Sequence, residues 1–189
     1  MSATPDQLLT AGLAHHQAGD RVAAARCYGL ALSRAPDHAH ASYLLGVVHK
    51  QTGDFANALV LLNRALALEP RKAEAHFVLG NLHGQIGELD QAAACYRCAI
   101  DADPDLTAAW SNLGAALHGM GDHTEAIAAC DEALARDPGR IDAQLTRASA
   151  LEGNGQVEAS IAAYRGILSR QPRHAEAKMA LERLRSQQA

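Results

Sequence analysis

The residues with the most specific chemistry in this 189-residue chain are its ten histidines and four cysteines. His15, His49 and His83 recur 34 residues apart, and His118 falls one residue off that register. Recurring imidazoles suit metal ligation. Each ligand of a zinc ion must lie about 2 Å from it, however, whereas packed helices are ~8–10 Å apart. A column that runs across successive elements therefore spreads its imidazoles out, and each ring is expected to be half-buried and hydrogen-bonded locally. Cys95-Tyr96-Arg97-Cys98 is a C-x-x-C, a spacing used in thiol redox and zinc chemistry. It falls inside a predicted helix, away from the N-terminus whose dipole would depress a thiol pKa. Cys27 and Cys95 also share a repeat position with Leu61, Ala129 and Ala163, so cysteine is expected to act there as a small apolar side chain. G-x-G-x-x-G, P-loop, H-E-x-x-H and G-x-S-x-G patterns are missing. No catalytic residue, metal or cofactor is assigned, and the chain is not expected to be an enzyme.

The scaffold that positions these residues is written in the composition. There are 41 Ala and 24 Leu against 12 Val plus Ile and 7 aromatic residues. Helix formers dominate and strand formers are scarce, which points to an all-α protein. The net charge of -4 and pI near 6.2 leave no basic surface for phosphates, so neither nucleic acid nor an anionic membrane is an expected partner. The longest aliphatic run is Ala58-Leu59-Val60-Leu61-Leu62, far short of the ~20 residues of a membrane span. Met1-Ser2-Ala3-Thr4-Pro5-Asp6 lacks the basic start and apolar core of a secretory signal. With no such signal, the four cysteines are expected to be reduced and the protein cytoplasmic.

Five prolines, Pro36, Pro70, Pro104, Pro138 and Pro172, are each 34 residues after the last. Placing proline at position 32 divides the chain into units 5–38, 39–72, 73–106, 107–140 and 141–174, followed by 175–189. Position 8 holds Gly12, Gly46, Gly80, Gly114 and Ala148, and position 15 holds Gly19, Gly53, Gly87, Gly121 and Gly155. Position 20 is Ala24, Ala58, Ala92, Ala126 and Ser160, and position 27 is Ala31, Ala65, Ala99, Ala133 and Ile167. Position 24 is Tyr28, Leu62, Tyr96, Cys130 and Tyr164. Glycine at 15 ends one helix, and the acid after it (Asp20, Asp54, Glu88 or Asp122) favours the start of the next. Proline at 32 stops the second helix. Each unit is thus a helix hairpin, with small residues at 8 and 20 for close approach and a large one at 24 filling space between hairpins. Such hairpins cannot bury an apolar face alone and must stack.

These columns, with Trp110-x-x-Leu113-Gly114 at the head of the fourth unit, resemble the tetratricopeptide repeat (TPR) family. The resemblance implies an all-α, right-handed superhelical solenoid of five hairpins plus a C-terminal capping helix, as one domain over 1–189. Thr4-Pro5-Asp6-Gln7 reads as a capping box for the first helix, and Ala177, Ala180, Leu181 and Leu184 as the buried stripe of the cap. The fifth unit departs from the pattern at Ala148, Ser160 and Ile167, so its stacking is expected to be less regular.

In the family, positions 2, 5, 6, 9, 12 and 13 of the first helix line a concave groove that holds partners. By that resemblance Leu9, Leu13, Tyr43, Leu44, Val47, Phe77 and Val78 form its apolar part. Lys50, Asn81, Gln85, Ser111, Asn112 and His118 form its polar part. Asn81 and Asn112 match the paired asparagines of the family's carboxylate clamp, but its basic positions hold Phe77, Asp142 and Thr146, which argues against capture of a chaperone C-terminus. The asparagine ladder of O-linked GlcNAc transferase is absent, since that column reads Thr10, Leu44, Val78, Asn112, Thr146. The expected function is a non-catalytic scaffold binding a protein or an extended peptide. The alternative is a substrate-recruiting segment or subunit of a larger enzyme such as an O-linked GlcNAc transferase-like glycosyltransferase. A monomer is expected, with self-association left open.

Overall fold

Glycines 19, 53, 87, 121 and 155 all have φ between 76° and 89°, a backbone conformation that side chains with a Cβ rarely adopt. They are the turns the 34-residue period requires. The computed structural model describes residues 3–187, and among these eleven α-helices alternate with short turns and no strand occurs. They are α1 (Pro5–Gln17), α2 (Arg21–Arg34), α3 (Ala39–Gln51), α4 (Phe55–Leu68), α5 (Ala73–Gln85) and α6 (Leu89–Ala102). Then come α7 (Thr107–Met120), α8 (His123–Arg136), α9 (Ile141–Gly153), α10 (Val157–Arg170) and α11 (Ala175–Gln187). Residues 1, 2, 188 and 189, which include the start of the segment tested for a signal and the end of the expected cap, lie outside the described residues.

Local capping follows the sequence closely. Thr4 and Gln7 form the reciprocal capping box of α1, each side chain bonded to the other's backbone N–H. The Asp20 and Asp54 carboxylates accept from the N–H of Ala23 and Asn57. Glu88 and Asp122 make no such side-chain bond, so α6 and α8 begin with only the electrostatic benefit of a nearby acid. The carbonyls of Pro36, Pro104 and Pro138 are fastening points instead. Pro36 accepts from Arg64, Pro104 from Trp110 Nε1 and Arg136, and Pro138 from Gln144 and Arg170, tying each turn to the hairpin that follows.

The chain forms two units, Met1–Ile86 and Gly87–Ala189. In the first, α1 packs on α2, α2 on α3, α3 on α4, and α5 on α4 and α3. Its core gathers Leu9, Ala24, Tyr28, Ala31, Ala41, Leu44 and Val48. In the second, α7 packs on α6, α8 and α9, and the order continues through α10 to α11. The cap buries Ala177, Ala180, Leu181 and Leu184 against α10, as its spacing requires.

In the first, second and fourth hairpins the position-24 side chain lies directly over the position-8 glycine. A Cβ on Gly12 would meet the Tyr28 ring, one on Gly46 the Leu62 side chain, and one on Gly114 the Cys130 sulfur. The large residue therefore sets the helix separation inside its own hairpin as well as filling space beyond it. The fifth hairpin absorbs its departures: Ser160 is fully buried and donates to the Ala148 carbonyl at 2.8 Å, the Tyr164 hydroxyl bonds Ser149 at 2.8 Å, and Ile167 is buried.

Candidate functional site

The first helix of each hairpin turns one stripe to its core neighbours and leaves another partly open. In α3 the open stripe is Tyr43, Val47 and Lys50, at i, i+4 and i+7, all half-buried. The Tyr43 ring stacks on His40, with centroids 6.1 Å apart and planes 21° apart, and Lys72 Nζ lies 5.6 Å from its centroid. Burial raises the Tyr43 phenol pKa and lowers that of the Lys50 ammonium. Lys50 has no ion-pair partner among the described residues, so its charge is partly desolvated without compensation. On α5, Phe77 and Asn81 are half-buried, and Gln85 is exposed one turn beyond.

Two apolar residues expected on this face, Leu9 and Leu44, belong to the core of the first unit, buried at 7% exposure each. Packing of α1 and α3 against α2 takes them out of reach of a partner.

In the second unit, α7 carries Ser111, Asn112 and His118. Ser111 is 2% exposed and offers no surface, because α6, α8 and α9 all pack on α7. Asn112 is half-buried and hydrogen-bonds the Tyr96 hydroxyl, whose pKa burial pushes up to about 12. His118 Nδ1 lies 3.2 Å from His123 Nδ1, one nitrogen donating and the other accepting. Burial lowers the His118 pKa, and the neighbouring His123 lowers it further against a smaller opposing effect of Glu152.

The histidine column engages its own turns. His49 Nδ1 is 2.9 Å from Asp54 Oδ2 and His15 Nδ1 is 4.0 Å from Asp20 Oδ2, five residues on in each case. His123 occupies nearly the same relation to His118, a partner that the spacing of five could have revealed. Among the described residues no three His, Cys, Asp or Glu side chains converge as a metal site would require. The thiols are free, and burial pushes Cys95 up to about 11 and Cys130 up to about 12, so neither is a thiolate nucleophile near neutral pH. Among the described residues no helix is long and apolar enough to cross a membrane.

Profiles described as tetratricopeptide repeat match residues 9–73, 49–105, 77–141 and 117–184. No curated protein matches the chain. Among solved structures, MamA protein superposes with a TM-score of 0.83 at 26% identity, over 93% of this chain and 96% of that one. YrrB, a TPR protein with an unusual peptide-binding site, gives 0.86 at 19% identity over 93% and 91%. A tetratricopeptide repeat protein from Parabacteroides merdae gives 0.84 at 18% identity over 95% and 72%. The last two share the fold alone. With helix hairpins repeating every 34 residues and family profiles spanning 9–184, the chain belongs to the tetratricopeptide repeat family.

Proposed function

We propose that the chain, acting as one repeat domain in the cytoplasm, is a non-catalytic scaffold that holds an extended peptide or a segment of a partner protein on the first helices of its hairpins. The observation that carries this reading is the open stripe of α3, where an aromatic ring, an aliphatic side chain and an uncompensated ammonium, Tyr43, Val47 and Lys50, stand in line and half-exposed. Phe77 and Asn81 offer a second apolar and amide pair on α5, with Gln85 beyond. Tetratricopeptide repeats generally bind proteins or peptides, and the solved relative YrrB carries a peptide-binding site. Asn112 and His118 offer polar contacts in the second unit; Ser111 would need a neighbour to move before it could contribute.

The test is capture of a partner from native lysate by the full chain, followed by calorimetry with the purified partner. Phe77→Ala should weaken binding by ~2 kcal/mol if the ring is an anchor, and Asn81→Ala by ~0.5–1.5 kcal/mol. Both variants should keep the parent's circular dichroism. Full affinity in the double variant would remove the partner from these helices.

A further inference from the structure

Among the described residues four cations are half-buried, Lys50, Lys72, Arg140 and Arg147. Three of them are matched: Lys72 Nζ lies 3.1 Å from Glu69 Oε2, Arg140 Nε 3.1 Å from Asp142 Oδ1, and Arg147 Nε 2.5 Å from Asp131 Oδ1. Lys50 is the exception. Its ammonium pairs with no carboxylate among the described residues, and burial lowers its pKa with no acid to oppose the effect. The acids at the adjoining turns are already engaged. Asp54 bonds His49 and accepts from the Asn57 N–H, and Asp20 caps α2 beside His15. Taking a cation partly out of water costs free energy that an opposite charge ordinarily offsets. This chain supplies that charge at three of the four sites and leaves the fourth open.

The open site has an apolar neighbour. Tyr43, at the far end of the α3 stripe, already has His40 stacked on it and Lys72 over its ring, so the free end is Val47 and Lys50, one turn apart. A hydrogen bond of 2.9 Å from His16 Nε2 to Gln51 Oε1 ties the last turn of α1 to the last turn of α3. Leu13 and Val47 lie one turn before the bonded residues, at the same repeat position, and Leu13 is 36% exposed, which adds apolar surface on the α1 side. Side chains at i and i+3 of a helix stand about 5–6 Å apart. Residues i and i+2 of an extended chain point the same way and are roughly 6.6 Å apart, so such a chain can meet Val47 and Lys50 at once.

We infer that the segment held by this face carries an aspartate or glutamate whose carboxylate pairs with Lys50, two residues from an aliphatic side chain that rests on Val47 and Leu13. The inference rests on the proposed scaffold function and adds the chemistry of the partner. Charge distribution agrees with it. Residues 1–86 hold six Asp and Glu against seven Lys and Arg, whereas residues 87–189 hold fifteen against ten. The acid excess of the chain lies outside the unit with Lys50, so an anionic segment meets no net charge of its own sign there.

The probe is a fluorescent, doubly blocked peptide with leucine and glutamate two residues apart and serine between them, titrated with the full chain and read by anisotropy. Peptides with glutamine or lysine in place of glutamate are the controls, and the blocked ends leave the side chain as the one source of carboxylate. The glutamate peptide should bind saturably, with a dissociation constant about three- to tenfold lower than that of the glutamine peptide. Lys50→Met keeps the aliphatic stem and should abolish that preference, and Lys50→Glu should reverse it in favour of the lysine peptide. Thermal unfolding followed by circular dichroism reads the same residue without a ligand. Lys50→Met sheds a partly desolvated charge that has no partner and should have a Tm no lower than the parent's, whereas Arg147→Met loses an ion pair and should have a lower one. A glutamate preference that survives Lys50→Met, equal binding of the three peptides, no saturable binding of the glutamate peptide, or a clear fall in Tm with Lys50→Met would overturn the assignment. Calorimetry with the captured partner separates the two readings: binding weakened by Phe77→Ala and untouched by Lys50→Met removes the carboxylate and leaves the scaffold.

Discussion

Adding one methyl group at position 8 tests the packing rule of the whole array, and Gly114 is the place to add it. A Cβ there would lie 2.5 Å from Cys130 Sγ and 3.2 Å from the Ala126 carbonyl oxygen. Unbonded heavy atoms ordinarily rest ~3.5–4.0 Å apart, so the sulfur would have to retreat by about 1 Å. Cys130 is completely buried and has little room to do so. Overpacking of this kind costs ~1–3 kcal/mol, and replacing a helical glycine by alanine returns about 1 kcal/mol. Gly114→Ala should therefore lower stability by about 1 kcal/mol, a fall in Tm of ~2–4 °C for a chain of this size. In a Cys130→Ala background the obstructing sulfur is gone, and the same substitution should turn neutral or stabilising while the propensity gain remains. The coupling between the two sites should reach ~1–3 kcal/mol. Urea unfolding under reducing conditions, followed by circular dichroism, measures all four corners of this cycle. An equal effect of Gly114→Ala in both backgrounds would refute the claim that position 24 sets the helix separation.

Three other outcomes follow from the same geometry. The His118 pKa is held below the usual 6.5, so its contribution to stability is complete above that value and is lost as pH falls through the folded-state pKa; His118→Gln should flatten the decline in Tm between about pH 7.5 and 5, and an unchanged slope would count against the burial of this pair. The Tyr28 hydroxyl is buried without a hydrogen-bond partner among the described residues whereas that of Tyr164 bonds Ser149, so Tyr28→Phe should be neutral or stabilising and Tyr164→Phe should cost ~0.5–1.5 kcal/mol by thermal unfolding; equal effects would show that the two hydroxyls have like surroundings. Alkylation at about pH 8 followed by peptide mass spectrometry should modify exposed Cys98 first and Cys130 last, and early labelling of Cys130 would mean that its hairpin opens.

Much of the architecture was legible because a 34-residue period leaves few freedoms. Proline at 32 and glycine at 15 fix where helices stop, and every one of those glycines has the positive φ that the turn needs. The candidate face was less legible. A position number says which way a side chain leaves its own helix, and exposure is decided by what packs on that helix. Leu9 and Leu44 leave α1 and α3 toward α2 and become core, and Ser111 is closed over in a helix with three packed neighbours. Caps show the same limit at shorter range. Asp20 and Asp54 reach the backbone N–H three residues on, and Asp122, with the same side chain at the same position, does not.

Departures from the repeat, by contrast, are answered close by. When Ala148 replaces glycine at position 8, the hairpin answers within itself: Ser160 bonds the Ala148 carbonyl and Ser149 holds the Tyr164 hydroxyl. When cysteine replaces tyrosine or leucine at position 24, Cys130 sits tightly over Gly114. Those changes are balanced by neighbours and belong to stability. Leucine at position 11 of the fourth hairpin, where the first three have histidine, is answered in the same way. Leu117 is 2% exposed, and the local histidine contact moves to the next residue, His118, which bonds His123. A repeat that departs from its pattern and balances the change is holding its fold.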